Sequence, residues 1–532
     1  MSSASFTDRD RLWRDMESGQ SADWDIVVAG GGITGSGIFR EATRRGYRTL
    51  LIEQRDFAWG TSSRSSKMVH GGLRYLAAGN VSLTRHALQE RERLISEAPN
   101  LVRRLAYYFP LYRGKFPPRI AAGLLFWLYD RLAGVSDHRP VSNEELSQAF
   151  TGLDISTTNG AFYYTDAVTD DARLALRVMH ESVRDGGTLR NYTRGTRVLR
   201  DGNRVVGLRI EDTESGKTLD LSSRVVINAT GAWADRFRDP PPKGIRIRPQ
   251  RGSHLVLCSR QFPAVAAIFL LHPEDGRRLF IYPWENRTIV GTTDIHHPEE
   301  LDTAASITPA ELDYLLQAAA QLYKDRPPTR DDVLSTRSGV RPILVSGNPD
   351  KPSKGSREHK VWSEEGLVGC SGGKLTTFHH MALDVMDRAQ EYLPDTPTAS
   401  DQRIFPTLKT EPNELLPGNA EQASLLLGRF GDDAGKLVSQ AAAGELELLL
   451  DSGISLAELR WSLRNESVLH LDDLMLRRSR LGILLRDGGA ELLDRIEPLC
   501  RECLGWDEER WAAERERYRD IIGRFYSVPE RA

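Results

Sequence analysis

The sequence contains few cysteines, no long apolar run and little net charge. Four cysteines in 532 residues do not form a disulfide framework, which is typical of a reducing compartment such as the cytoplasm. No stretch approaches the roughly 20 apolar residues of a membrane-spanning helix, and residues 1–23 lack the apolar centre of a secretory signal. The 71 basic and 74 acidic residues nearly balance, so we expect no binding to nucleic acid.

A metal site is not expected either. Cys500 and Cys503 have the spacing of half a zinc site, but a structural zinc ion needs four ligands and there is no second pair. The remaining composition, with 40% hydrophobic and 27% charged residues, is that of an ordinary globular protein. A chain of this length exceeds one ordinary hydrophobic core, so we expect two or three domains.

An apolar run early in the chain leads into a glycine-rich turn and then a helical pattern. Residues 25–29 have strand character, and Gly30, Gly32 and Gly35 follow with Gly-x-Gly-x-x-Gly spacing. In dinucleotide-binding folds these glycines permit a tight turn, the approach of a pyrophosphate and close helix packing. A second strand ends at Glu53, at the distance expected of a ribose ligand. The predicted dinucleotide contacts are Gly30, Gly31, Gly32, Ile33, Thr34, Gly35 and Glu53.

A segment rich in serine and glycine, residues 60–75, follows the second strand. One interpretation is a flexible linker. The other is a loop that wraps a phosphate and an isoalloxazine ring with main-chain and hydroxyl donors, because the segment combines hydroxyls, basic residues, a histidine and a glycine pair. We favour the second interpretation, which selects Thr61, Ser62, Ser63, Ser66, Lys67, His70, Gly71, Gly72 and Leu73 as further cofactor contacts.

The chain returns twice to glycine-containing turns, after a buried strand that ends near residue 229 and again near residue 372. A nicotinamide dehydrogenase usually keeps its nucleotide site in one contiguous domain. Separated returns favour FAD, because FAD is long and lies extended across a sheet, where distant segments touch it. These turns add Thr230, Gly231, Gly373, Lys374, Leu375 and Thr376 to the predicted cofactor contacts.

The order of elements predicts an α/β fold with an added α region: a Rossmann-like FAD-binding domain, an inserted antiparallel-sheet substrate domain and a C-terminal helical domain. A turn at Asp201-Gly202 predicts a hairpin, and Ser455-x-x-Glu458 predicts the start of a helix. The predicted boundaries are 1–23 for a polar extension without assigned function, 24–100, 160–240 and 335–392 for the FAD-binding domain, 101–159 and 241–334 for the substrate domain, 393–415 for a linker, and 416–532 for the helical domain.

Residues 116–132 form the most apolar helical stretch of the sequence. Basic residues precede it and Arg131 closes it. One interpretation is a helix buried in the core. The other is a helix that lies in a membrane surface, with its apolar groups among acyl chains and its arginines at head groups. The sequence leaves both open.

Eight motifs occur in one order: GGGITG, TSSRSSKMVHGGLRYL, YTDAVTDDARL, INATGAWAD, GSH, GTTD, SGVRP and GGKLTT. Together they closely resemble the FAD-dependent, quinone-linked glycerol-3-phosphate dehydrogenases of the D-amino-acid-oxidase-like flavoproteins. The resemblance runs from about residue 24 to the C-terminal end. It implies noncovalent FAD, a homodimer, and a location in the cytoplasm on the inner face of the cell membrane.

The resemblance implies glycerol 3-phosphate as the substrate. Its phosphate dianion requires fixed cations, and arginine is suited to bidentate phosphate contact. At the motif positions we expect three cations with three hydrogen-bonding partners near the flavin. They are Arg74, Arg341 and Lys374, with Tyr75, His254 and Thr293.

Oxidation of the C2 hydroxyl, with hydride transfer to flavin N5, needs a base whose pKa is not far from the working pH. His254 is the simplest candidate, because a neutral imidazole is available near pH 7. His70 is the second candidate, and a hydroxyl whose pKa is lowered by Arg341 or Lys374 is the third. The sequence does not rank these firmly.

The acceptor that the resemblance implies is a membrane quinone, which gives residues 116–132 a function as a docking helix. Arg477, Arg478 and Arg480 could also face anionic head groups, although we favour a solvated helix face for them. Two other activities remain open: a glycerol-3-phosphate oxidase that uses oxygen, and an amine or amino-acid oxidase of the same superfamily. A non-catalytic scaffold that holds FAD is a third alternative.

Overall fold

The structure is a computed structural model that describes residues 6, 8–20, 23–77, 79–237, 245–346, 359–395 and 403–530. The described residues form two β-sheets, helices packed against them, and a helical C-terminal region. The helices are α1 (Arg9–Glu17), α2 (Ile33–Arg44), α3 (Leu73–Ala77), α4 (Val81–Glu97), α5 (Arg119–Ala133), α6 (Asn143–Ala149), α7 (Asp171–Arg184), α8 (Pro309–Ala320), α9 (Phe378–Ala389), α10 (Pro412–Leu415), α11 (Ala420–Phe430), α12 (Asp433–Gln440), α13 (Leu456–Asn465), α14 (Leu471–Asp473), α15 (Leu481–Leu484), α16 (Leu493–Leu504) and α17 (Glu508–Phe525).

The first sheet contains β1 (Asp23–Ala29), β2 (Thr49–Ile52), β7 (Thr188–Arg190), β8 (Thr193–Asp201), β9 (Arg204–Asp212), β10 (Thr218–Asn228), β17 (Lys360–Glu364) and β18 (Leu367–Ser371). β1 pairs in parallel with β2 and β10, and β10 pairs in parallel with β18. Helices α2, α7 and α9 cover one face and pack on Ile26 and Val28. Burial on both faces explains why β1 is nearly continuously apolar. The hairpin predicted at Asp201-Gly202 joins β8 to β9 and is confirmed.

The second sheet contains β3 (Met68–Val69), β4 (Val102–Tyr112), β5 (Arg139–Val141), β6 (Thr158–Thr169), β11 (Ile245–Cys258), β12 (Ala267–Leu271), β13 (Arg278–Trp284), β14 (Arg287–Gly291), β15 (Ile295–His296) and β16 (Val333–Ser346). Its pairs are antiparallel except for β4 with β12. The boundaries predicted at 160 and 335 fall inside β6 and β16, so the chain leaves this sheet after those strands. The predicted fold class, a Rossmann-like domain with an inserted sheet and a helical C-terminal domain, is confirmed.

The C-terminal helices pack on one face of the second sheet through a shared apolar cluster that includes Tyr282 and Trp284. The capping box predicted at Ser455 and Glu458 begins α13 and is confirmed. The exposed positions predicted for Arg477, Arg478 and Arg480 are wrong, because all three side chains are buried. Their carboxylate partners Asp56 and Asp171 come from distant parts of the sequence, and Glu466 lies 12 residues before Arg478.

The described residues of the N-terminal extension, 6, 8–20 and 23, are part of the folded molecule. Helix α1 packs Trp13 against the first sheet, and Arg9 donates to the side chains of Asn191 (2.8 Å) and Asp212 (3.3 Å). Phe6 stacks on His180, and its N–H donates to a carbonyl at the end of α13. The extension therefore links the first sheet to the C-terminal helices.

Helix α5 is buried on one face only. Ala122, Phe126 and Tyr129 lie in the core, whereas other apolar side chains of the stretch 116–132 are exposed. These are Phe116 (76% exposed), Ile120 (89%), Leu124 (65%) and Trp127 (50%). Burial in the core therefore explains the apolar side chains on the inner face of this helix but not those on its outer face. In the part of the chain that the structure describes, none of the helices combines the length and apolarity required to span a bilayer.

Candidate active site

A cavity of about 910 Å³ lies where the carboxyl ends of β1, β2, β10 and β18 meet the second sheet. This is the edge of a parallel sheet at which α/β proteins bind ligands. Most of the residues selected from the sequence line it. They are Gly30, Gly32, Ile33, Thr34, Glu53, Thr61, Ser62, Ser66, His70, Gly72, Leu73, Tyr75, Thr230, Gly231, Arg341, Gly373, Lys374, Leu375 and Thr376.

The other selected residues that the structure describes are buried behind this wall. They are Gly31, Gly35, Ser63, Lys67, Gly71, His254 and Thr293. The side chain of Arg74 lies outside the described residues.

The end of the cavity formed by residues 30–35 fits a dinucleotide. Gly35 must be glycine, because a Cβ there would lie 1.8 Å from the carbonyl oxygen of Gly30. Gly32 is the N-cap of α2 and lines the cavity together with Ile33 and Thr34, so the helix N-terminus faces the cavity, where it can stabilise phosphate oxygens. The Glu53 carboxylate accepts the N–H of Gly31 at 2.7 Å. Burial raises the pKa of this carboxyl, and the N–H groups of Gly31 and Arg55 oppose the shift.

Ser66 separates His254 from the cavity. The Ser66 hydroxyl lines the cavity and lies 2.9 Å from Nε2 of His254, which is 1% exposed. Burial, followed by the charges of Arg337 and Arg341, lowers the pKa of His254 well below its usual value. His254 is therefore neutral at physiological pH and paired with a serine hydroxyl.

His70, by contrast, lies in the cavity wall itself. Its main-chain N–H donates to Oγ1 of Thr376 at 3.1 Å, which ties the loop 60–75 to the second glycine return. Of the two histidines selected from the sequence, His70 therefore lies in the wall of the cavity and His254 lies behind that wall.

Arg341 lies flat against Gly252, where a Cβ would be 2.3 Å from the guanidinium. It donates to Oγ1 of Thr292 at 3.0 Å and pairs with Asp294 at 3.4 Å. Arg277 pairs with the same carboxylate at 3.0 Å. The result is a wall of two guanidiniums and one carboxylate, net cationic, built from β16, the residue before β13 and the turn after β14.

Lys374 and Tyr75 meet across Gly72. The ammonium of Lys374 lies 3.7 Å from the centroid of the Tyr75 ring, within the range of a cation–π contact. A Cβ at Gly72 would clash with the Tyr75 ring at 2.3 Å. This glycine therefore permits the ring and the ammonium to line the cavity side by side.

Thr293 is directed away from the cavity. Its hydroxyl donates to Glu311 at 2.6 Å and accepts the N–H of Ser253 at 2.8 Å. The preceding residue, Thr292, is the one that lines the cavity.

Sequence reasoning missed two groups of lining residues. Arg277, Arg278, Thr292 and Asp294 are polar, and only the GTTD motif signalled their neighbourhood. The second group is apolar and comes from the second sheet and the start of α5, which sequence periodicity marks only as core. Its members are Tyr107, Phe109, Phe116, Ala121, Leu125, Tyr164, Phe269 and Phe280.

The fold and the cavity define a FAD-dependent oxidoreductase. The model of the family "FAD dependent oxidoreductase" matches residues 25–386. A second model, "C-terminal domain of alpha-glycerophosphate oxidase", matches residues 382–511.

Similar proteins specify the class further. A glycerol-3-phosphate dehydrogenase of Mycobacterium leprae is 35% identical over 91% of this chain and 86% of its own length. An aerobic glycerol-3-phosphate dehydrogenase of Staphylococcus haemolyticus is 31% identical over 86% of this chain and 87% of its own. The structure of a glycerol-3-phosphate dehydrogenase from Bacillus halodurans, complexed with FAD, matches with a TM-score of 0.75 and 25% identity over 96% of this chain and 97% of its own. The chain belongs to the glycerol-3-phosphate dehydrogenase family of these flavoproteins, and its cofactor is FAD.

Proposed function

We propose that the protein oxidises sn-glycerol 3-phosphate to dihydroxyacetone phosphate and passes the electrons to a membrane quinone. The observation that carries this proposal is the presence of Arg341, Lys374 and Tyr75 in the same cavity as the glycine turns at 30–32 and 230–231. A phosphate dianion in a partly closed cavity needs fixed cations, and the guanidinium of arginine offers two parallel donors. The names of the relatives agree with this substrate.

FAD, when bound, would supply N5 as the acceptor for the hydride that leaves C2 of the substrate. The side chains bind the phosphate and remove the proton of the C2 hydroxyl. We assign the base to His70, because it lines the cavity, whereas His254 lies behind Ser66. The neutral His254 then serves as the hydrogen-bonding partner that fixes the Ser66 hydroxyl. This order reverses the preference that the sequence alone suggested.

Helix α5 supports a membrane quinone as the acceptor. Phe116, Ala121 and Leu125 line the apolar side of the cavity, while Ile120 and Trp127 of the same segment are exposed. An exposed apolar face flanked by basic side chains is typical of a helix that lies in an anionic membrane surface. The flanking residues are Arg113, Lys115, Arg119 and Arg131. We therefore propose that the protein binds peripherally to the inner face of the cell membrane.

Anaerobic titration of the FAD-bound protein with glycerol 3-phosphate tests the substrate. We expect loss of the flavin absorbance band near ~450 nm, since only a competent site transfers hydride. Glycine and sarcosine are the comparison substrates. Bleaching by either of them, without bleaching by glycerol 3-phosphate, would replace this proposal with an amine or amino-acid oxidase, and no bleaching by any of them would indicate a scaffold.

Turnover with and without oxygen tests the acceptor. We expect turnover with a water-soluble quinone under anaerobic conditions and little hydrogen peroxide in air. Rapid peroxide formation without quinone would identify an oxidase. The family model of the C-terminal region, which is named for an oxidase, makes this comparison necessary.

A further inference from the structure

Arg480 connects the C-terminal helices to the wall of the cavity. It lies between the π-helical turn Leu474–Arg478 and α15, with a φ of +66° that is unusual for a residue other than glycine. Its guanidinium is 3% exposed and donates to Oδ1 of Asp171 at 2.5 Å and to the carbonyl of Ser63 at 2.9 Å. Both acceptors belong to the FAD-binding part of the fold.

Asp171 also accepts hydrogen bonds from residues 61–67, which we term the serine loop. Its Oδ2 accepts the N–H (2.9 Å) and the hydroxyl (2.7 Å) of Ser65. Its Oδ1 accepts the ammonium of Lys67 at 2.5 Å. Asp171 and Lys67 are both fully buried, so these charge-assisted contacts are not screened by solvent.

The serine loop presents Ser66 to the cavity. Lys67 has a φ of +58°, and its N–H donates back to the Ser65 hydroxyl at 2.9 Å. Arg337 donates to the carbonyl of Ser65, and the Tyr282 hydroxyl donates to the carbonyl of Ser66 at 2.7 Å. With its neighbours held on both sides, the Ser66 hydroxyl lies against His254.

We propose that Arg480 is a positioning residue through which the C-terminal domain holds the serine loop, and with it the Ser66–His254 pair, in place at the flavin site. Removal of Arg480 leaves the Ser63 carbonyl and the Asp171 carboxylate with one donor fewer in a buried site, where such a loss is costly. The inference goes beyond the proposed function, because it assigns the C-terminal domain a part in building the site. Glycine oxidase from Bacillus cereus matches this fold over its whole length but over only 71% of this chain (TM-score 0.52, 17% identity), so the fold also occurs without the whole of this chain.

The test compares Arg480→Gln and Arg480→Lys in the FAD-bound protein. Arg460→Gln is the control, because Arg460 is a largely buried arginine of the C-terminal domain (15% exposed) whose ion pairs with Glu445 and Glu502, both at 2.6 Å, lie within that domain. For Arg480→Gln we expect a fall of roughly 10- to 100-fold in the rate of flavin reduction at saturating glycerol 3-phosphate, with a changed circular dichroism of the flavin bands. Arg480→Lys recovers part of the rate, and Arg460→Gln lowers the Tm without changing the rate or the flavin spectrum.

A crystal structure of Arg480→Gln provides a readout that is independent of activity. We expect the Ser66 Oγ to His254 Nε2 distance to exceed 3.5 Å. If Arg480→Gln does not fold, Ser65→Ala removes the hydroxyl contact between the serine loop and Asp171 and leaves the contacts of the Ser65 N–H and of Lys67, so we expect a smaller change in the same direction. An unchanged distance, flavin spectrum and rate in the variants, or an equal loss of rate in Arg460→Gln, overturns the proposal. If the unmodified protein is not reduced by glycerol 3-phosphate, the proposed function fails, and the distance and the flavin spectrum still decide this inference.

Discussion

The two ends of the cavity are built differently. At the dinucleotide end, one contiguous stretch forms the wall, with Gly30 and Gly32 lining the cavity and Gly35 packed behind them. At the substrate end, side chains from distant strands converge, with Arg341 on β16, Lys374 after β18 and Tyr75 on α3. Gly30, Gly31 and Gly35 at the first end leave no room for a Cβ, while the second end depends on a few charges. Substitutions at the two ends should fail in different ways.

The largest effect is expected at the dinucleotide end. Gly35→Ala places a Cβ 1.8 Å from the carbonyl oxygen of Gly30, a contact that the turn cannot relieve without moving. We expect the variant to be purified without FAD or not to fold, as measured by the flavin content of the protein. Gly435→Ala in α12, where no atom lies within 4 Å of the new Cβ, is the control and should retain full FAD. Normal flavin content in Gly35→Ala would contradict the close packing described here.

At the substrate end, Arg341→Ala should leave FAD bound and remove the phosphate contact. Loss of a charge-assisted bidentate interaction predicts a fall of roughly 100-fold or more in kcat/KM for glycerol 3-phosphate. The readout is anaerobic flavin reduction against substrate concentration. Arg388→Ala, an exposed arginine of α9, serves as the control. Loss of FAD, or full activity, in Arg341→Ala would show that this arginine has another role.

A smaller effect is expected on the outer face of α5. Ile120→Glu replaces the most exposed apolar side chain of that helix, and we expect about tenfold weaker binding to vesicles of phosphatidylethanolamine and phosphatidylglycerol. Flavin reduction by glycerol 3-phosphate should not change. Val265→Glu, at an exposed apolar position elsewhere (69% exposed), should bind vesicles normally. Equal vesicle binding by both variants would contradict a membrane contact through α5.

The smallest effect concerns pH. Burial and nearby cations lower the pKa of His254, so the unfolded chain binds more protons below pH 6.5 and stability falls as the pH drops. The carboxylates Glu214 and Glu514 outweigh burial and raise the pKa of His470, in the C-terminal domain, to about 9. Its contribution is complete below pH 6.5 and is lost as the pH rises through 9.

Because the pKa values of the two histidines shift in opposite directions, the pH dependence of Tm can be compared between variants of each. In His254→Gln, the decrease in Tm as the pH falls below 6.5 should be smaller by about 2 °C than in the unmodified protein. In His470→Gln, the decrease in Tm as the pH rises from 6.5 to 9 should be smaller by about 2 °C. The pH slope is compared rather than the absolute Tm, because each variant also loses contacts. Identical slopes in the two variants would argue against the opposite pKa shifts.

Local signals in the sequence predicted local structural features well. The glycine spacing at 30–35, the hairpin at Asp201-Gly202 and the capping box at Ser455 each depend on residues close in sequence, and the structure contains all three features. The burial of Arg477 and Arg478 could not be predicted in this way. Their partner Asp56 lies 421 and 422 residues away in the chain, and a sequence pattern does not contain that pairing.

The same limit applies to the substrate end. The motifs selected His254 and Thr293, but a motif does not state which way a side chain points. Thr292 lines the cavity instead of Thr293, because successive extended residues point to opposite sides. Ser66, from a distant loop, lies between His254 and the cavity. Arg277 and Asp294 meet Arg341 only because β13 pairs with β14, β14 with β11, and β11 with β16.

The segment 116–132 is at once an inner wall of the cavity and an outer surface of the molecule. An apolar acceptor that approached from a lipid phase would meet Phe116 and Leu125, while a phosphorylated substrate from water would meet Arg341 and Lys374. Under the proposed function the two reactants need not compete for one entrance. Steady-state kinetics could then pass through a ternary complex, and an inhibitor shaped for the lipid side would leave the KM for the polar substrate unchanged.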